Sequence, residues 1–503
     1  MADNEVDPEV QMAVNEKDTE ARPSEAPAGE LKKGALGTGG IVFLVVSAAA
    51  PLTVIAGVAP LAILIAGPAA PAAYLIAGAA LVVFAIGFMA MTRHVKQTGG
   101  FYTYITRALG RVVGLGAGIL ALVSYNAMQI GIYGLFAVTS SALLQTVFGV
   151  SVPWWVLALV AIAAVWALGF FGIDVGAKVL GVLLTAETLI LLIVGIAIAV
   201  KGGPEGFKFG MFDPTLVFTP QVGIVLGLAL GAFLGFEATA LYRAEARNPN
   251  TSIPRATYIS IGFLTVFYTV LVWLFVQAFG ETGVQAYIGE NGITTFAFTT
   301  ADQFLGQWAS IAMYALIVTS VYAGLLAFHN TINRYAYSLA RDGILPAALT
   351  RTRRDGSPHI AGLAQTILAL LIVGAFAIAG ADPYLQLLIW VNTPGVVGVL
   401  ILQLLASVAV IVFFVRNRNL ERKWYVLPAA ILATILLAVF AVLIVLNIDF
   451  LTGAGPVVNA IILLIVPVAF LIGVGLAVAY KRSRPTVYAR IGGGEADARD
   501  ADD

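Results

Sequence analysis

Long runs of apolar residues separated by short polar connections make up the chain from about residue 36 to residue 480. A helix needs about 20 mostly apolar residues to cross a hydrocarbon core of about 30 Å. Twelve segments reach or approach that length: residues 40–65, 70–91, 112–144, 153–170, 179–200, 221–243, 255–279, 307–338, 361–380, 384–415, 425–447 and 457–480. The pattern predicts an all-α integral membrane protein with 12 transmembrane helices. The connections are unequal. Lys and Arg crowd alternate ones, beginning with Lys32 and Lys33, then Arg93, Lys96, Arg107 and Arg111, then Lys178, then Arg243, Arg247 and Arg255. The series continues with Arg334, Arg341, Arg351, Arg353 and Arg354, then Arg416, Arg418, Arg422 and Lys423, then Lys481, Arg482 and Arg484. The opposite connections carry only Lys201 and Lys208. Because basic connections stay cytoplasmic, both termini are expected in the cytoplasm of a cell whose plasma membrane the chain spans, and the number of spans must be even.

Composition agrees. Of 503 residues, 60% are hydrophobic and 11% charged, far from the balance of a soluble domain. Lys and Arg number 28, as do Asp and Glu, so net charge gives no pull toward nucleic acid and the bilayer is the expected partner. The absence of cysteine excludes disulfide and thiolate chemistry. His94, His329 and His359 share no ligand-like spacing, so no metal and no cofactor are expected. Residues 1–33 are acidic and rich in Ala, Pro and Glu, without the apolar stretch of a cleavable signal. They read as a disordered arm, and GGGEADARDADD at the other end reads the same way. The expected division is 1–33 arm, 34–480 twelve-helix domain and 481–503 cytoplasmic tail.

Two spans carry weak points at matching places. In VVSAAAPLTVIAG, Pro51 follows Ser47 and three alanines; proline suits a first helical turn and biases its predecessor away from helix, so a break is expected near Ala48 to Pro51. In GLALGAFLGFEATA, Gly227, Gly231 and Gly235 recur every four residues and weaken one face, so a break is expected near Gly231 to Phe236. The first and sixth spans lie five apart, as two inverted repeats of five helices would require, about residues 38–200 and 221–415. Transporters place substrate at such paired interruptions. A break in the outward-running first span exposes amides that suit a carboxylate. The inward-running sixth span would offer carbonyls to an ammonium group. Taken singly, each site also fits a kink or close helix packing.

At these residues the chain resembles the amino acid, polyamine and organocation (APC) superfamily of permeases, whose fold is of the leucine-transporter type. The resemblance covers about residues 36–480 and rests on three stretches. QTGGFYTYITRALGR, from Gln97 to Arg111, is similar to the Gly-Gly-x-Tyr-x-Tyr segment between helices 2 and 3. AFLGFEATALYRAEARNPNTSIPRA is similar to the Phe-x-Gly-Phe-Glu helix 6 and the turn after it. NTINRYAYSLARDGILPAAL is similar to the end of helix 8, with Arg341, Asp342, Gly343 and Pro346 in place. The resemblance implies a 5+5 inverted repeat with broken helices 1 and 6, plus helices 11 and 12. It further implies alternating-access transport of an amino acid or polyamine, coupled to a proton, to sodium or to a counter-substrate. Carried over, Ser47, Ala48, Ala49, Ala50, Pro51 and Leu52 would line the carboxylate site, and Gly231, Ala232, Phe233, Leu234 and Gly235 the amino-group site. Two departures stand out. Gly231 occupies the position where several exchangers carry an aromatic gate, which would leave room for a bulkier substrate or pass the gate to Phe233. Alanines stand in helix 1 where many members have glycine and serine.

Candidate coupling residues follow. Glu237 lies about 9 Å from Arg243 along a helix; a break before it would put its carboxylate in a first turn, satisfying free amides, and a coupling or gating role is equally open. Glu187, in TAETLILL, has no sequence-local partner, and a lone intramembrane acid marks a pathway by default. Thr319 and Ser320 offer two hydroxyls for a sodium ion, or bond their own preceding turn. Asn126, Gln129 and Tyr133, with Tyr125 beside them, share a face of the third span and would line the cavity or hold helices together. Trp390 and Asn392 are weaker cavity candidates, and Arg341 and Asp342 read as loop anchors. The expected function is proton-coupled amino acid import, with a polyamine or organocation permease, or an amino acid exchanger, with or without sodium coupling, as the alternative. No nucleophile, base and orienter are grouped as an enzyme would need, and no soluble sensor domain follows the last span.

Overall fold

The computed structural model describes residues 37–493 apart from 96–99, 172–174, 238, 240–245, 354–356, 418–419 and 421–423, and describes backbone only at 47–48 and 171–180. The arm 1–33, residues 494–503, the first residues of the Gln97 stretch, Lys32, Lys33, Lys96, Arg243, Arg354, Arg418, Arg422 and Lys423 lie outside the described residues, as do the side chains of Ser47, Ala48 and Lys178.

Apolar runs without turn signals fold as helices. In chain order these are α1 (Thr38–Ala49), α2 (Pro51–Gly57), α3 (Ala59–Ala66), α4 (Ala70–Thr92), α5 (Gly100–Leu109), α6 (Arg111–Phe148), α7 (Trp154–Phe171), α8 (Val175–Lys201) and α9 (Pro220–Ala232). They continue with α10 (Pro249–Phe279), α11 (Val284–Asn291), α12 (Phe296–Leu305), α13 (Gln307–Arg341), α14 (His359–Ile378), α15 (Ile389–Arg416), α16 (Val426–Leu446), α17 (Pro456–Ser483) and α18 (Pro485–Arg490). Among the described residues, ten continuous or gently broken stretches are long and apolar enough to cross a membrane, and two further apolar helices, Trp154–Phe170 and Pro220–Ala232, are shorter.

The 38-residue α6 is the central post, packed against α13, α15 and α17, while α4 packs on α10. Small residues allow the close approaches that drive helix association in lipid. A Cβ on Gly473 of α17 would stand 2.5 Å from the Leu115 carbonyl oxygen of α6, so that crossing admits only glycine. The outer faces of α16 and α17 expose Val439, Val442, Leu464 and Leu471, as lipid-facing surfaces should.

One boundary differs from the sequence reading. The first span is interrupted twice: Ala50 separates α1 from α2, and Val58 (φ −124°, ψ −41°) separates α2 from α3. The second interruption has a local cause, because Pro60 lacks the N–H that would bond the Ala56 carbonyl. The sixth span stops as a regular helix at Ala232, within the interruption expected near Gly231 to Phe236. Beyond the last span, α17 runs to Ser483 and α18 follows.

That C-terminal segment docks on a buried acid. Asp342, at the end of α13, accepts from the Tyr102 hydroxyl of α5 at 2.8 Å and from Gly492 N–H at 3.2 Å, and Gly492 N–H also reaches the Tyr102 oxygen at 2.8 Å. Ile491 is buried beside it. At the other end of the bundle, residues 202–219 are tied to the end of α10. Lys208 N–H donates to Gln277 Oε1 at 2.7 Å and Gly210 N–H to Glu281 Oε1 at 2.8 Å. Bonds from Lys208 Nζ and Thr282 hold the partly exposed Glu205 carboxyl down at about 2.

Asp342→Ala is expected to lower the midpoint of thermal unfolding in detergent, since the buried Tyr102 hydroxyl loses its acceptor at a cost of about 1–3 kcal/mol. Tryptophan fluorescence during heating measures it, and Tyr102→Phe should give a smaller drop.

Candidate functional site

The site is built around interrupted helices, and each interruption leaves backbone groups that need partners inside a membrane protein. Ala50 takes φ 45°, ψ 72°, the one positive φ outside glycine among the described residues. Pro51 then starts α2. Proline has no N–H for the carbonyl one turn back, and the first-turn amides of Leu52 and Thr53 have no acceptor within α2. Tyr268 of α10 donates its hydroxyl to the Ala49 carbonyl at 3.3 Å. At the second interruption, Tyr384 donates to the Gly57 carbonyl at 2.7 Å. Tyr384 belongs to a wide turn, Pro383–Leu388, that leads into α15.

The end of α9 unwinds through tighter bonds: Phe233 N–H to Leu230 O at 3.2 Å and Leu234 N–H to Gly231 O at 3.3 Å. Gly235 adopts φ 106°, a conformation that L side chains resist. Glu237, 7% exposed, closes this turn. Its Oε2 accepts from Gly235 N–H at 3.1 Å and its Oε1 from the Tyr125 hydroxyl of α6 at 2.8 Å. Tyr125 packs in turn on Tyr335 and Phe328 of α13.

Between the two unwound segments lies a cavity of about 100 Å³. Ala49, Ala50, Thr53, Val54 and Val58 form one wall, and Leu228, Gly231, Ala232 and Leu234 another. α6 supplies Met128, Ile132 and Leu135, α13 supplies Val321, Gly324 and Phe328, and the α15 region supplies Leu388, Asn392 and Val396. Of the residues expected at the site, Ala49, Ala50, Gly231, Ala232 and Leu234 border this space; Pro51, Leu52 and Gly235 sit in the adjoining turns. Phe233 does not border it. Its ring packs edge-on against Tyr268 with centroids 5.8 Å apart. A Cβ at Gly231 would come into ordinary contact with Val396 at 3.5 Å. The open position is Gly324, where a Cβ would meet nothing within 4 Å.

The polar face of α6 is used differently from a cavity wall. Asn126 donates to the Leu122 carbonyl of its own helix at 2.7 Å. Gln129 donates to the Leu325 carbonyl at 3.2 Å and accepts from Gln365 of α14, joining three helices, with Tyr133 3.5 Å away. Trp390 donates to the Thr452 carbonyl at 3.1 Å, outside the cavity.

The hydroxyl pair separates. Thr319 donates to the Leu316 carbonyl at 2.8 Å, a back-bond to its own turn. Ser320 shares a 3.0 Å hydrogen bond with Thr53 and stands within hydrogen-bonding reach of Glu187. Glu187 is 4% exposed and its Oε2 is unpartnered. A polar line therefore runs from Glu187 through Ser320 to Thr53 and the cavity. Sequence reasoning missed Thr53, although a hydroxyl in the first turn after Pro51 was a readable signal. It also missed Tyr268 and Tyr384, which act from more than 200 residues away in the chain. Among the described residues, no group of three or more His, Cys, Asp or Glu is placed to hold a metal.

The family described as amino acid permease matches residues 36–473. The chain is 27% identical over 327 residues to the lysine-specific permease of Lactococcus lactis subsp. cremoris, covering 61% of this chain and 62% of that protein. It is 25% identical over 328 residues to the L-asparagine permease of Escherichia coli, covering 62% of each chain. It is 24% identical over 310 residues to the aspartate-proton symporter of Bacillus subtilis, covering 58% of each. The matches thus span less than two thirds of these relatives' own lengths.

Relieving the left-handed Ala50 with Ala50→Gly should raise or hold thermal stability, because that conformation costs an L residue about 1–2 kcal/mol. Tyr384→Phe should lower it by about 1–3 kcal/mol by stranding a buried carbonyl. Thermal unfolding of the purified variants checks both signs.

Proposed function

This chain belongs to the amino acid permease family, and from that premise we propose that it is a secondary active transporter that imports an amino acid across the plasma membrane by alternating access, driven by a proton. One observation carries the reading: two helix interruptions, 180 or so residues apart in sequence, face a common cavity. The arrangement fits twelve spans with both termini cytoplasmic, the first ten forming two inverted repeats of five, about residues 38–200 and 221–415. α1 to α3 and α9 are then equivalent broken helices.

In this reading the first-turn amides of Leu52 and Thr53, at the positive end of α2, receive the substrate carboxylate. Carbonyls at the unwound end of α9, from Gly231 to Gly235, receive its ammonium group. Ser47 to Pro51 shape the carboxylate side through their backbone. Glu187 carries the coupling proton, and Ser320 and Thr53 relay its state to the carboxylate site, so that proton and substrate favour the same conformation. Glu237 acts as a latch: its two bonds hold the α9 turn to Tyr125 while the inner pathway is closed. Support for the proton comes from the polar line ending on Glu187 and from the relative that is an aspartate-proton symporter. The separated Thr319 and Ser320 weigh against a sodium ion between them. A polyamine carrier would want acids on the cavity wall, and Glu187 borders it only through Ser320 and Thr53.

The test is uptake of a radiolabelled amino acid panel into proteoliposomes with and without an inward proton gradient. Gradient-driven accumulation is expected. Exchange alone, indifferent to the gradient, would replace symport with antiport. Glu187→Gln should lose the response to the gradient, roughly 5–150-fold for a coupling of ordinary size, while counterflow between preloaded and external substrate persists. Tyr125→Phe and Glu237→Gln should each speed inward opening, read as faster labelling of a cysteine introduced on the cytoplasmic side of the cavity.

A further inference from the structure

The cavity wall is almost wholly apolar. Among its lining residues only Thr53 and Asn392 have polar side chains, and none is charged. Thr53 is committed to Ser320. Asn392 is not similarly committed: its Oδ1 is buried and has no hydrogen-bond partner, which is a costly state for an amide oxygen unless a ligand supplies a donor. The backbone that carries it is held by close packing. A Cβ on Gly131 of α6 would stand 2.8 Å from the Asn392 Cβ and 3.0 Å from its backbone nitrogen, so α15 is pressed onto α6 at this point. Opposite, a Cβ on Gly231 would reach Val396 at 3.5 Å, which sets the width of the space on that side. The remaining freedom lies beside Gly324.

We infer that the transported amino acid has an uncharged side chain with a hydrogen-bond donor at its tip, such as a carboxamide or hydroxyl, and that Asn392 selects it by accepting from that donor. This deepens the proposed function and rests on it. A cationic or anionic side chain would have to enter an apolar wall with no counter-charge, which is strongly disfavoured. An aliphatic side chain fits the wall and leaves the Asn392 oxygen unpaired, so it is accepted less well.

The test uses the full-length protein in proteoliposomes with L-glutamine, L-asparagine, L-threonine, L-leucine, L-lysine and L-aspartate, alongside thermal-shift binding of the same six to the detergent-purified protein. Donor-bearing neutral amino acids are expected to exceed leucine by about tenfold, the discrimination that one satisfied buried polar group provides, and lysine and aspartate by more. Asn392→Leu should bring the glutamine-to-leucine ratio toward one, and Asn392→Asp should raise the lysine-to-glutamine ratio. Ratios within one preparation are insensitive to how much variant folds, and Asn392→Ser, a smaller change, gives a second reading. Lysine or aspartate taken up as well as glutamine would overturn this inference while leaving amino acid transport standing. A glutamine-to-leucine ratio unmoved by both Asn392→Leu and Asn392→Ser would overturn the assignment to Asn392. Failure of all six to be transported or to shift unfolding would overturn the functional reading itself, and this inference with it.

Discussion

Inside a bilayer every backbone N–H and C=O must find a partner within the protein or a wet cavity. An unbroken helix satisfies this by itself; an interrupted one does not. The chain interrupts its first span twice and its sixth once; side chains from other helices serve the first two, and at the third a local carboxylate held from another helix does so. Tyr268 serves the Ala49 carbonyl, Tyr384 the Gly57 carbonyl, and Glu237 with Tyr125 the Gly235 amide. These donors come from α10, the turn before α15, and α6, so the interruptions hold only when the bundle is assembled around them. The cavity is a consequence of that arrangement: it lies where regular helix gives way to backbone that can face a ligand.

The same constraint explains why some of the molecule was legible in the sequence. Proline at position 51 and the four-residue glycine spacing ending at Gly235 are local signals, and local signals locate the interruptions within a few residues. Pro60 was equally visible, but within an otherwise strong apolar run it was absorbed into a single span. What satisfies each interruption was not readable, because Tyr268 and Tyr384 meet their carbonyls across more than 200 residues of chain. The polar face of α6 shows the opposite failure. The spacing of Asn126, Gln129 and Tyr133 was seen correctly, yet which neighbour each side chain meets depends on helix rotation, and the structure turns Gln129 to α13 and α14.

The two membrane acids illustrate how position changes the meaning of one residue type. Glu237 has a donor on each oxygen and anchors a turn. Glu187 has one oxygen without a partner and touches the cavity through two hydroxyls. The first is bound into the structure; the second is left able to respond. The C-terminal segment adds a further tie, since Gly492 joins the Asp342 and Tyr102 pair that links the end of α13 to α5.

The central claim is that the cavity between the interruptions is where substrate sits, and the absence of native cysteine makes it directly measurable. A single cysteine at Gly324, which borders the cavity in open space, can be labelled by a small thiol reagent while a transported amino acid is titrated in. With substrate at ten times its half-saturating concentration, occupancy of the cavity should slow labelling about tenfold by mass action, in step with saturation of uptake. A labelling rate that does not change while uptake saturates would place the substrate elsewhere and contradict the account.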